Sequence, residues 1–284
     1  MYRTLIVYES KHGFTETVVK NLTFILGPAQ FCKSEDFRPE YMDFDFFIIG
    51  VPVYGQNVNA EVAQFITDNA SWLKEKKIAL FCTCPVDVPG RQQLKPFETL
   101  LGESVVNVAE INNHCNLEKV VDYALKVKEL QEELNKKMPV SVLKPYIDDF
   151  LRIHNTCTLT TGHLNRLRST PMEYTYKDGY MYFITEGGKK YANLLLNNHV
   201  AIASYDNLVN WSSLAGIQLS GVAQMVDYGS EKYTEIIRLK KLNLEKTLAM
   251  PIRMNVIQVK LLRAEYLNAQ FTQLGYAVRQ FFTF

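Results

Sequence analysis

The chain has 284 residues, 47% apolar and 21% charged, the profile of an ordinary globular protein of one or two domains. Its 31 Lys and Arg against 30 Asp and Glu leave no footprint for general nucleic-acid binding. No apolar stretch approaches the roughly 18 residues of a membrane span, and the run Leu5-Ile6-Val7-Tyr8 is too short for a secretory signal, so a cytoplasmic protein is expected.

The first half predicts strands alternating with helices. Thr4–Tyr8 reads as a buried strand, and Phe14–Leu26 as a helix with Val18, Leu22 and Ile25 at helical spacing, stopped by Gly27-Pro28. Phe44–Ile49 is a second apolar run, ended by Gly50. A helix over Ala60–Leu73, a strand over Lys77–Thr83, a helix over Arg91–Leu101 and a strand over Ser104–Ala109 follow. Asn116 can cap a long helix carrying Leu117, Val120, Val121, Ala124 and Val127 on one face. Wholly apolar strands alternating with helices indicate a parallel sheet covered on both sides.

Lys136-Lys137-Met138-Pro139 ends that helix, and Val140–Pro145 reads as the junction between domains at 1–140 and 141–284. Beyond it, strands are expected at Cys157–Thr161, Arg166–Tyr176, Tyr180–Thr185, Val200–Tyr205, Gln218–Val226 and Asn255–Leu262. Asp178-Gly179 makes a tight hairpin turn, and short helices fall near Lys190–Asn197 and Glu231–Leu242. Many hairpin-linked strands with few helices suggest a barrel. Residues 1–140 hold 15 basic and 19 acidic side chains, and 141–284 hold 16 and 11. The basic excess of the second half suits either an anionic ligand or a scatter of solvated lysines.

The five cysteines (32, 82, 84, 115 and 157) have no framework spacing, so reduced thiols are expected. Cys82 and Cys84 read as two half-buried strand thiols rather than a disulfide. His154, His163 and His199 lack metal-ligand spacing, and no metal site is predicted. Trp211 sits in a polar loop where it could cover a ligand or pack under the barrel.

Ser10-Lys11-His12-Gly13-Phe14-Thr15 lies where a strand hands over to a helix. A helix N-terminus offers unpaired N–H groups and a partial positive charge, and Gly13 lets backbone wrap a phosphate. The alternative is a turn whose Ser and Thr merely cap the helix. The loop resembles the flavodoxin FMN-phosphate motif, with His12 in place of a hydroxyl residue. Gly50-Val51-Pro52-Val53-Tyr54-Gly55 is similar to the flavodoxin loop beside the isoalloxazine ring, and Cys82–Gly90 occupies the third loop position. The resemblance implies FMN held by Ser10, Lys11, His12, Gly13, Phe14, Thr15, Pro52, Val53, Tyr54 and Gly55. Residues 1–137 resemble the compact flavodoxin-like domain of menaquinone-dependent protoporphyrinogen oxidases.

Along Arg166-Leu167-Arg168-Ser169-Thr170, alternation sends Arg166, Arg168 and Thr170 to one side. With Glu186-Gly187-Gly188-Lys189-Lys190 they can surround a phosphate; an exposed basic hairpin is the other reading. From about Asp148 onward the chain resembles pyridoxamine-phosphate-oxidase-like FMN-binding split barrels. That resemblance implies FMN contacts from Arg168, Ser169, Thr170, Lys189 and Lys190, with Ile184 and Thr185 along the ring. It also implies a homodimer sharing its flavin sites. The ending Arg279-Gln280-Phe281-Phe282-Thr283-Phe284 lacks the Arg-Leu-x-Pro segment of the vitamin B6 oxidases. The expected whole is an α/β flavodoxin-like parallel sheet followed by a mainly-β split barrel. Its expected function is an FMN-dependent oxidoreductase with no nameable catalytic side chain and an unknown redox partner. The alternative is an electron carrier or flavin-binding module, with one site degenerate.

Overall fold

A computed structural model describes residues 3–112 and 117–284, so the expected cap Asn116, and Cys115, lie outside the described residues. The chain divides into two compact units, Met1–Asn135 and Lys136–Phe284.

Unit 1 runs β1 (Thr4–Tyr8), α1 (Phe14–Leu26), β2 (Ala29–Lys33), β3 (Phe46–Tyr54), β4 (Asn57–Val58), α2 (Ala60–Asp68), α3 (Ala70–Leu73), β5 (Lys77–Cys84), α4 (Gly90–Gln93), α5 (Lys95–Leu101), β6 (Val105–Asn112) and α6 (Leu117–Leu134). The sheet order is β2-β1-β3-β5-β6, all parallel, with β4 hairpinned onto β3. The chain reverses direction across the sheet between β1 and β3, the switch point where ligands of such sheets gather. Alternation along the strands feeds two cores. Leu5, Val7, Phe47 and Ile49 pack with α2, α3 and α5, while Ile6, Tyr8, Phe46 and Ile48 pack with α1 and α6. On α6 the buried stripe is Val120, Tyr123, Ala124, Val127 and Gln131; Leu117 is exposed.

Several elements differ from the sequence reading. Gly50 does not end its strand, which continues through Pro52 to Tyr54. Its role is close approach, since a Cβ there would lie 2.6 Å from the Phe81 ring. The helix expected over 60–73 breaks at Asn69, which bonds back to Phe65 O and accepts from the Trp72 indole. The helix over 91–101 likewise divides at Leu94, two residues before Pro96, whose missing N–H suits the first turn of a new helix and not the interior of a continuous one.

Unit 2 runs α7 (Val140–Ile153), β7 (Thr156–His163), β8 (Arg166–Glu173), β9 (Thr175–Lys177), β10 (Tyr180–Thr185), α8 (Lys190–Leu194), β11 (His199–Tyr205), β12 (Ala215–Val226), α9 (Glu231–Leu239), α10 (Leu244–Leu248), β13 (Asn255–Asn268) and β14 (Arg279–Thr283). The antiparallel sheet order is β8-β7-β11-β12-β13-β10-β9, and β14 also pairs with β13. The sheet curls as a half-barrel around a core to which β7, β10, β11, β12 and β13 contribute alternate residues. Asp178 (φ 50°) and Gly179 (φ 80°) close the β9–β10 hairpin in the two-residue turn the sequence predicts.

The supposed junction at 140–145 is instead the start of α7. Leu143, Ile147, Phe150 and Leu151 recur at helical spacing and are buried in the barrel core. Each contributes about 1.5–3 kcal/mol by burial. Together they outweigh the ~3 kcal/mol of a helical proline, and Pro145 itself lies on the exposed side.

Candidate functional site

In unit 1 the loops after β1, β3 and β5 converge on one cleft of about 330 Å³ at the carboxyl ends of the strands. Among its lining residues are Ser10, His12, Phe14, Thr15, Val53, Tyr54 and Gly55, all expected from the sequence, together with Thr83, Cys84 and Pro85 from the third loop. Gly13, at φ +81°, is the N-cap of α1 and contributes no side-chain cap, so the first-turn N–H groups of Phe14 and Thr15 have no carbonyl partner within the helix. Lys11 and Pro52 stand apart. Lys11 lines a second, more polar hollow of about 640 Å³ that shares Ser10 and Tyr54 with the cleft, and Pro52 is buried within β3.

The loop is held by its own side chains. Ser10 Oγ accepts the N–H of Gly13 at 3.1 Å and of Glu16 at 3.4 Å. The Lys11 N–H donates to the Tyr54 hydroxyl at 2.6 Å, and the His12 ring meets Tyr54 edge-on at 5.4 Å. Thr15 Oγ1 and Thr83 Oγ1 share a 2.7 Å hydrogen bond, both residues being buried. Thr15 therefore braces the cleft against β5 instead of offering a free hydroxyl. Sequence spacing gave no signal for Thr83, because the pair is 68 residues apart.

In unit 2, Arg168 and Thr170 share one face of β8, and Lys190 opens α8 close enough to Arg168 to feel its charge. Lys190 is only 6% exposed as a residue, and its ammonium donates to the Gly187 carbonyl. Burial first, and then the Arg168 guanidinium, lower its pKa from the ordinary value. Thr170 Oγ1 is buried without a hydrogen-bond partner. Arg166 is spent locally, its Nε donating to Asn193 Oδ1 at 2.8 Å, while buried Asn193 anchors to the Thr161 carbonyl at 3.1 Å. Strand parity divides the remaining candidates. Ser169 lies on the other face of β8, its hydroxyl bonded to Thr160 at 3.1 Å. Ile184 packs with Tyr182, Tyr233 and Ile236, while Thr185 is bonded to the turn at Gly187. Lys189 is exposed beside the turn. Trp211 is 81% exposed, so it does not pack under the barrel.

Residues 5–113 match the flavodoxin domain family, and residues 143–268 match the pyridoxamine 5'-phosphate oxidase family. The chain is a flavodoxin domain fused to a pyridoxamine 5'-phosphate oxidase-type domain. Members of both families typically bind flavin. No curated protein matches the chain. Among solved structures, flavodoxin from Megasphaera elsdenii is 23% identical over 43% of this chain and 98% of its own, with a TM-score of 0.37. The heme storage protein HutZ from Vibrio cholerae is 16% identical over 42% of this chain and 89% of its own, with a TM-score of 0.36. General Stress Protein 26 from Bacillus anthracis is 16% identical over 50% of this chain and 98% of its own, with a TM-score of 0.36.

Both domains fit a phosphorylated ligand on their own residues. The flavodoxin domain offers the first-turn N–H groups of Phe14 and Thr15 at the α1 N-terminus, which opens beside a preformed cleft. The oxidase-type domain holds the largely buried Lys190 close enough to Arg168 to feel its charge, and Thr170, with an unpartnered buried hydroxyl, on the same face of β8 as Arg168; these are group types that bind phosphate. Among the described residues, no helix is long and apolar enough to cross a membrane.

Proposed function

We propose that the chain is an FMN-binding flavoprotein with one site in each domain, acting as a cytoplasmic oxidoreductase. The observation that carries this reading is the convergence of three strand-end loops on one cleft at the switch point of the flavodoxin sheet. Bound FMN would supply the electron or hydride chemistry. In the flavodoxin domain, the first-turn N–H groups of α1 hold the phosphate, and Tyr54, fixed through its hydroxyl by the Lys11 N–H, presents a ring to the cleft. In the oxidase-type domain, Arg168, Lys190 and Thr170 hold the phosphate. Asn193 positions Arg166 beside α8.

A homodimer through the barrel belongs to the same reading. Leu164, Leu167, Leu195 and Leu196 are all exposed on this domain, apolar surface that a second copy would cover. The described cysteines are free thiols, in keeping with a reducing compartment.

The test is the flavin content of purified protein before and after incubation with excess FMN. Two FMN per chain is the expected result, and colourless protein that takes up none would sink the reading. Anaerobic addition of nicotinamide cofactors, followed by flavin bleaching, then separates a reductase from an electron carrier. Light scattering reports the dimer.

A further inference from the structure

Three ligand-type groups meet at the carboxyl end of β5, in a cluster that borders the flavin cleft through Cys84. Cys82 and Cys84 leave the same face of the strand, and Glu110 is the β6 partner of Cys82 in the parallel register. Their two Sγ atoms and a Glu110 carboxylate oxygen all lie within 4.8 Å of one another. Both cysteines are buried, while Glu110 opens to solvent and provides a route in.

The loop from Pro85 to Gly90 folds over the sulfurs. A Cβ on Gly90 would stand 2.6 Å from Cys84 Sγ and 2.8 Å from Cys82 Sγ, so only glycine lets the backbone come this close. The present hydrogen bonds are weak. Cys84 Sγ donates to the Val88 carbonyl at 3.6 Å, and Cys82 Sγ to the Ala109 carbonyl at 3.7 Å. The Arg91 N–H donates to Glu110 Oε2 at 2.7 Å, fixing the carboxylate beside the thiols.

We propose that Cys82, Cys84 and Glu110 form a binding site for a divalent cation of zinc's class. A thiolate pair with one carboxylate selects zinc-like ions over magnesium or calcium. Tetrahedral Zn–S bonds of about 2.3 Å place two sulfurs roughly 3.8 Å apart, within the observed spread. A disulfide is disfavoured, because it needs Cβ atoms about 3.8 Å apart, whereas same-face neighbours on a strand are separated by two rises of ~3.3 Å. Binding forms two Zn–S bonds and one Zn–O bond and releases two thiol protons to solvent, with no change of oxidation state. Three protein ligands leave a fourth position open. Because Cys84 also lines the cleft, the ion would pin the third loop to β6. The site stands whether or not flavin binds.

The experiment is titration of fully reduced, chelator-treated full-length protein with Co²⁺ and then Zn²⁺. One Co²⁺ per chain should bind, with a thiolate-to-cobalt charge-transfer band and tetrahedral visible bands. Zn²⁺ should abolish both. Cys82→Ser and Cys84→Ser should each weaken the band and lower affinity at least ~10-fold, and Glu110→Gln should lower affinity while keeping the band. No charge-transfer band in the wild-type protein would overturn the proposal, whatever the variants do. So would a band that survives in the folded double cysteine variant, which would assign it to Cys32, Cys115 or Cys157.

Discussion

The two anion-ready sites of this chain rest on different physics. In the flavodoxin domain the donors are neutral, and the buried polar groups around them are already paired: Thr15 with Thr83, Ser10 with the amides of Gly13 and Glu16, Tyr54 with that of Lys11. In the oxidase-type domain the largely buried Lys190 lies close to Arg168, and a hydroxyl has no partner. The first site has its side chains paired and keeps the backbone N–H groups of Phe14 and Thr15 for a ligand. The second brings two cations together, with Glu186 offsetting part of their repulsion, so an entering anion would relieve the rest.

The largest expected effect would break that contrast outright. Arg168→Ala and Lys190→Met should each cut flavin affinity in the barrel about 100-fold or more, since each removes a charge-assisted bond to phosphate. The flavodoxin site should stay filled, giving one FMN per chain in place of two. Loss at both sites, or at neither, would remove the distinction. Next, Thr15→Val leaves the Thr83 hydroxyl buried and alone, and should cost ~1–3 kcal/mol in urea unfolding. Adding Thr83→Val should recover much of that loss; simple additivity would show that the pair does not brace the cleft. Gly13→Ala, at φ +81° in open space, should cost ~1–2 kcal/mol through the left-handed backbone alone. The smallest effect is a pH slope. Lys190 releases its proton below the ordinary 10.5 when folded, and the unfolded chain keeps it longer. Flavin-free protein should therefore gain stability as pH rises through that window, opposite in sign to a lysine held by a carboxylate. Thermal melts of Lys190→Met should lack the rise.

Local punctuation made much of the fold legible in the sequence. Gly13 and Gly27-Pro28 bracket α1 at its observed ends, and Asp178-Gly179 marks its hairpin. Edge elements were not legible. β2, Ala-Gln-Phe-Cys-Lys, buries only Cys32, so it carries no apolar run, and β14 alternates over too few residues to stand out. In α7 the prolines at 139 and 145 suggested a linker, although Leu143, Ile147, Phe150 and Leu151 already had helical spacing. At the sites, residue types could be read but partnerships could not. Nothing local joins Thr15 to Thr83, Arg166 to Asn193, or Glu110 to the two cysteines. Parity along β8 was readable, and it already separates Ser169 from Arg168.

The sequestered Lys190 also bears on how long the protein survives in a cell. Occupancy at a hundredfold excess over the dissociation constant adds about 2.7 kcal/mol to the folded state. With the proposed cofactor scarce, the barrel would lose that reserve together with its neutralising charge, and proteases would reach it sooner. Steady-state abundance of the chain would then follow vitamin supply without any dedicated sensor.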